Sequence, residues 1–250
     1  MGRQWSEKFV QCFLNIVEAE AKIKDFKNKY NTQLRLRTKL MLGSGADRES
    51  GVIYRALTTF YDRKLNRWIN KKGNIKQEIV FERYSDCVVY KDFGSDWDDW
   101  YKGELYQDMV IEVENDLNEF QGTFCDLLRT QSKKKVGIFY YDISKDKDEF
   151  IEEKKNEIRH VLEYFSQKDF LEAEGTEYLF LFLPDNFISM EETFKSNIIA
   201  LNFMIVFDNI KTNVNKILNT MIIKYIRDNS LSKLLKINKN DKNCQLGNKN

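Results

Sequence analysis

Asp108-Met109-Val110-Ile111-Glu112-Val113-Glu114, then a helical run over 116–129, then Lys135-Val136-Gly137-Ile138-Phe139-Tyr140-Tyr141, is the stretch that sets the fold. Its outer segments are short, rich in β-branched and aromatic residues, and read as strands. Between them Phe120, Phe124, Leu127 and Leu128 share one face of a helix. Along the first strand Glu112 and Glu114 lie two residues apart and face the same side, with Val110 and Asp108 in phase. Met109, Ile111 and Val113 face the other side, which packs on a helix.

Working outward, Ile79-Val80-Phe81 and Cys87-Val88-Val89-Tyr90 are two further short strands. Upstream of them the period is helical. One helix is expected over 5–30, through Phe9, Phe13, Ile16, Val17, Ile23 and Phe26, and a second over 52–70, capped by Asp47 or Ser50. Arg35, Arg37 and Lys39 alternate and would line one side of an extended segment. Gly43-Ser44-Gly45 signals a loop and lacks the Gly-Lys-Ser/Thr ending of a phosphate loop. Downstream, a helix over 148–166, strands over 178–183 and 198–207 and a helix over 214–235 follow. A mixed α/β fold results, a central sheet flanked by helices. It reads as a single domain over 1–250: a helical N-terminal segment 1–51, a core of about 52–142, and an α/β extension 143–250.

Composition narrows the function classes. With 42% hydrophobic and 14% aromatic residues, the 250-residue chain has material for a substantial core. Its net charge of +1 gives no global field toward nucleic acid or anionic membrane, so any such partner must meet a local basic patch. The first residues lack the apolar core of a signal peptide, and no uncharged run spans a bilayer. Cys12, Cys87, Cys125 and Cys244 form no CxxC pair, which fits a reducing, cytoplasmic setting. The single histidine, His160, excludes any site needing two, and its helical context suits solvent.

The chemistry-bearing pattern is acidic. Asp86 opens one strand, while Glu112 and Glu114 alternate along another. Three carboxylates converging there repel one another unless a cation sits among them. Magnesium, or manganese in its place, suits such oxygen ligands while keeping waters for a phosphate. The same Glu-x-Glu pattern also suits the solvated face of an amphipathic strand. Asp96-Trp97-Asp98-Asp99-Trp100 reads either as an aromatic loop that stacks on bases or as one folded back on the domain.

Ser85-Asp86 and Glu112-Val113-Glu114 resemble the PD-(D/E)xK nuclease superfamily, which includes restriction endonucleases. Ser85-Asp86 stands where that family has Pro-Asp, and Glu112-Val113-Glu114 where it has Asp/Glu-x-Lys. The resemblance covers about 52–142, in the family's order of helix, strands, helix, strand. It implies a metal held by Asp86 and Glu112, with the third position orienting or activating water. Glu114 departs from the motif lysine and would have to act as a metal ligand or general base. Glu49 and Glu78 are further acids by position.

The expected activity is magnesium-dependent DNA cleavage, with Lys133, Lys134, Lys135, Arg35 and Arg37 as backbone contacts. Arg55, Arg63, Lys64 and Arg67, and six basic residues over 226–250, are alternative contacts, and a solvated face explains each equally. A homodimer fits the cutting of both strands, and no membrane partner is expected. The alternative is a nuclease-like module that binds nucleic acid or protein without catalysis. An α/β interaction protein with no metal site is the third reading.

Overall fold

The computed structural model describes residues 5–23, 25–32, 34–43, 48–62, 79–80, 86–90, 107–166 and 175–205. The Trp97–Trp100 loop, Glu78, Arg63, Lys64, Arg67, Cys244 and the expected C-terminal helix lie outside them.

Among the described residues four helices come first: α1 (Trp5–Ala21), α2 (Phe26–Thr32), α3 (Leu34–Leu42) and α4 (Val52–Tyr61). A six-stranded sheet follows in the order β1-β2-β3-β4-β5-β6. Its strands are β1 (Ile79–Val80), β2 (Cys87–Tyr90), β3 (Gln107–Glu114), β4 (Lys134–Tyr141), β5 (Glu177–Pro184) and β6 (Ile199–Met204). Helix α5 (Phe120–Arg129) joins β3 to β4, and α6 (Lys147–Ser166) joins β4 to β5. β1, β2 and β3 pair antiparallel, β3, β4 and β5 run parallel, and β6 returns antiparallel. The mixed sheet follows from connection length. A helix between two strands returns the chain to the same sheet end, so the strands it joins run parallel.

Strand alternation sorts the core into two layers. Cys87, Met109, Ile111, Val113, Val136 and Ile138 pack against α1 to α4. Val110, Phe139, Tyr178, Phe180 and Phe182 pack against α5 and α6. In the second layer Phe124 stands edge-on to Phe180 at 5.2 Å. Such pairs add about 0.5–1.5 kcal/mol beyond the area they bury. Gly137 belongs to this layer, and a Cβ there would lie 2.6 Å from the Phe139 ring and 2.9 Å from Phe180. Only glycine leaves those rings their place beside Glu112, its ladder partner on β3.

Three upstream expectations change. The first helix breaks after Ala21, and Ile23 sits in the turn at 53% exposure rather than in the core. The Arg35–Lys39 stretch is helix α3, not an extended segment. Its apolar Leu36, Leu40 and Met41 recur at helical spacing, and Arg37 is buried. Helix α4 is entered through Gly51, which stands at the N-cap position expected for Ser50, and Asp47 lies outside the described residues. A Cβ on Gly51 would lie 2.5 Å from the Leu42 carbonyl carbon, so glycine allows α3 and α4 to meet.

Candidate functional site

Parallel strands β3, β4 and β5 end together at their carboxyl edge, where open α/β sheets generally place ligands. β2 runs the other way, so its first residues adjoin that edge. The last β2–β3 ladder pair is Cys87 with Ile111, and one step further brings Asp86 opposite Glu112. Two hydrogen bonds fix the juxtaposition. The Asp86 backbone N–H donates to Glu112 Oε2 at 3.2 Å, and the Val113 N–H donates to Asp86 Oδ2 at 2.7 Å. Each carboxylate is thus aimed by the other's strand, and both residues are half-buried.

Asp86 and Glu112 are thus bonded to each other's chain segments, and Glu114 is engaged separately. The Glu114 carboxylate accepts the Asp116 N–H at 2.8 Å, folding back on its own chain where β3 turns toward α5. Among the described residues no group of three or more His, Cys, Asp or Glu side chains is arranged to hold a metal ion. Two carboxylates are a number magnesium can use. That ion commonly takes one or two carboxylates and fills its remaining positions with water and phosphate oxygens. Glu49, on the 3₁₀ turn before α4, is exposed.

Asp108 does not share the Glu112 face. Val89 pairs with Met109 and Tyr90 with Gln107, leaving Asp108 as the extra residue of a β-bulge. Its side chain turns to the helical layer, accepting from the Tyr61 hydroxyl at 2.5 Å and pairing with Lys134 Nζ at 3.1 Å.

The expected basic contacts divide the same way. Lys133 and Arg35 are exposed. Lys134 is engaged by Asp108. Lys135 is fully buried; its ammonium donates to Leu128 O at 3.4 Å and to the Tyr178 hydroxyl at 3.3 Å. It lies in phase with Gly137 and Phe139, facing α5, so it presents nothing to a phosphate backbone. Arg37 is 6% exposed and donates to the Tyr30 and Asp185 carbonyls at 2.9 and 2.6 Å. It is likewise no open contact. Arg55 pairs with Glu20 of α1. His160 is exposed on α6, as its sequence context suggests.

Sequence reasoning missed a polar group behind the acid pair. The Arg37 guanidinium lies over the Tyr140 ring at 4.4 Å and the Tyr30 ring at 5.0 Å. The Tyr30 hydroxyl donates to Pro184 O at 2.6 Å. Burial pushes the Tyr140 phenol well above its ordinary range; Arg37 opposes this and the charge of Asp86 adds to it. Burial, then Asp142, raises the Asp185 carboxyl. A strand-end tyrosine facing an Arg-bearing helix was the available signal, but the helix itself reads as extended chain.

Compared with known proteins, the chain matches no family model and no curated protein. Among the described residues, no helix is long and apolar enough to cross a membrane.

Proposed function

We propose that this protein is a divalent-metal-dependent endonuclease that hydrolyses DNA phosphodiester bonds, with a restriction endonuclease-like core over about 52–142. The observation that carries the reading is the Asp86–Glu112 pair at the carboxyl edge of β3, each carboxylate bonded to a backbone N–H of the neighbouring chain segment. Two carboxylates on opposed strand positions repel unless a cation lies between them, and a cation there would serve a phosphate substrate. The element order α4, β1–β3, α5, β4 supports it as well, being the order expected for that nuclease core.

Magnesium held by Asp86 and Glu112 would neutralise charge on the scissile phosphate and favour ionisation of the attacking water. The protein's part is placement. The Val113 and Asp86 N–H groups hold the two carboxylates in fixed directions before substrate arrives, which removes reorganisation from the reaction. In the hydrolysis the water oxygen bonds to phosphorus and the ester P–O bond breaks. The departing sugar oxygen takes up a proton, and the water's proton leaves to solvent. Glu114 stands at the rim of this site as a carboxylate acceptor rather than as a third ligand. Two copies of the chain would cut both strands of a duplex.

A second reading has its own observation. Where the motif has lysine, this chain has Glu114 folded onto Asp116, and among the described residues no third acid joins the pair in a metal-holding group. A nuclease-like module that binds nucleic acid or protein without cleaving would look the same. Plasmid cleavage by the pure full-length protein separates the two. Magnesium-dependent nicking that disappears in Asp86→Asn and Glu112→Ala, with both variants folded, supports the endonuclease. Cleavage that survives both substitutions overturns it, and binding without cleavage in magnesium or manganese favours the module.

A further inference from the structure

We propose that Tyr140 and Asn115 are positioning residues behind the acid pair, which together hold one internal water that fixes the Asp86 carboxylate. The inference rests on the metal-site reading above. Glu114 and Phe139 are the last pair of the β3–β4 ladder, so Asn115 and Tyr140 are the next residues on the two chains. Helix α3 covers both. Thr38 Oγ1 accepts from Asn115 Nδ2 at 2.7 Å, and the neighbouring Arg37 lies over the Tyr140 ring.

Two polar atoms are left there without a hydrogen-bond partner among the described residues: the Tyr140 hydroxyl and Asn115 Oδ1, both buried. Tyr140 as a whole is 3% exposed. Buried polar atoms are nearly always satisfied by protein or by ordered water. Asp86 engages the same stretch of β3, through Val113 two residues before Asn115. The donor count closes on one water. It accepts from the Tyr140 O–H and donates one proton to Asn115 Oδ1 and the other to the Asp86 carboxylate. Burial keeps the phenol protonated, hence a donor. Among the described residues, Arg37 on α3, Tyr30 on α2 and Asp86 itself are the charged or titratable groups beside Tyr140.

Outer-shell partners of metal ligands typically change metal affinity or activity by about 10–100-fold when removed. Tyr140→Phe deletes only the hydroxyl and keeps the ring under Arg37. Calorimetric titration of the full-length protein with manganese should give a dissociation constant raised at least about tenfold in Tyr140→Phe. The melting temperature in metal-free buffer should stay within about 4 °C of the parent. Asn115→Ala should do the same to affinity, and should lower kcat for duplex cleavage more than it changes KM. A Tyr140→Phe protein that binds manganese like the parent, while Asp86→Asn does not bind it, overturns this inference alone. An Asp86→Asn protein that keeps full manganese affinity overturns the metal-site reading and this inference with it.

Discussion

Replacing Asp86 by Asn perturbs the acid pair with almost no change of shape, and the structure gives opposing terms for its effect. Opposed residues on antiparallel strands hold their Cβ atoms about 5 Å apart. At that spacing, and at an effective dielectric near 20, two like charges repel by about 3 kcal/mol. Both residues are half-buried, so screening brings this to about 1–2 kcal/mol. Against that gain, the bond from the Val113 N–H to Asp86 loses its charge assistance but keeps an amide oxygen as acceptor. That change costs about 1 kcal/mol. In metal-free buffer the two terms nearly cancel, and Asp86→Asn should melt within about 4 °C of the parent. Magnesium separates them. At a concentration 100 times its dissociation constant, a ligand bound only by the native state stabilises it by about 2.7 kcal/mol. For a chain of this length that amounts to about 5–10 °C, and Asp86→Asn should show almost none of it. Differential scanning calorimetry with EDTA and with magnesium reads both numbers. An Asp86→Asn protein that gains as much from magnesium as the parent would refute the reasoning. So would one that has already lost more than about 10 °C in EDTA.

Other outcomes follow from the same geometry. Glu114→Ala should leave manganese affinity within about threefold of the parent, because its carboxylate is bonded to Asp116 rather than to the pair; a loss as large as that of Asp86→Asn would place Glu114 among the ligands. Lys134→Met removes the cation beside the Asp108 carboxylate, which is 8% exposed and keeps its bond from the Tyr61 hydroxyl. It should cost about 2–4 kcal/mol in denaturant unfolding, toward the lower end because Lys134 is 27% exposed. The double variant with Asp108→Asn should recover most of it. Asp185 has its carboxyl raised by burial and then by Asp142. Its ionisation therefore opposes folding, and the stability it contributes at low pH is lost as pH rises through its folded value. Asp185→Asn should raise the melting temperature at pH 7, with the gain fading toward about pH 4 as the parent's carboxyl takes up its proton. A gain that does not change across that range would contradict the assignment.

Some of this site was legible in the sequence for identifiable reasons. Alternation alone puts Met109, Ile111 and Val113 on one face of β3 and Glu112 on the other. The order of short apolar runs then brings Asp86 to Glu112, because neighbouring strands in this chain are neighbours in the sheet. Lys135 was misread: its place in a lysine run suggested a phosphate contact, while its phase with Gly137 and Phe139, which points it at α5, was the signal passed over. Asp108 was not legible, since a bulge shifts the phase by one residue and leaves no mark in composition. Arg37 was not either. Arg35-Leu36-Arg37 alternates like a strand, and only tertiary packing reveals that one turn of helix carries its guanidinium between two tyrosine rings. The turn of the Glu114 carboxylate onto Asp116 depends on how β3 ends, which side-chain type alone does not determine.

The account stands on Asp86 and Glu112 sharing one divalent ion. Calorimetric titration of manganese into the full-length protein, and into Asp86→Asn and Glu112→Gln, measures that directly. It predicts one ion per chain for the parent and no binding in either variant at the same concentrations. A parent protein that takes up no ion, or variants that bind as the parent does, would contradict it.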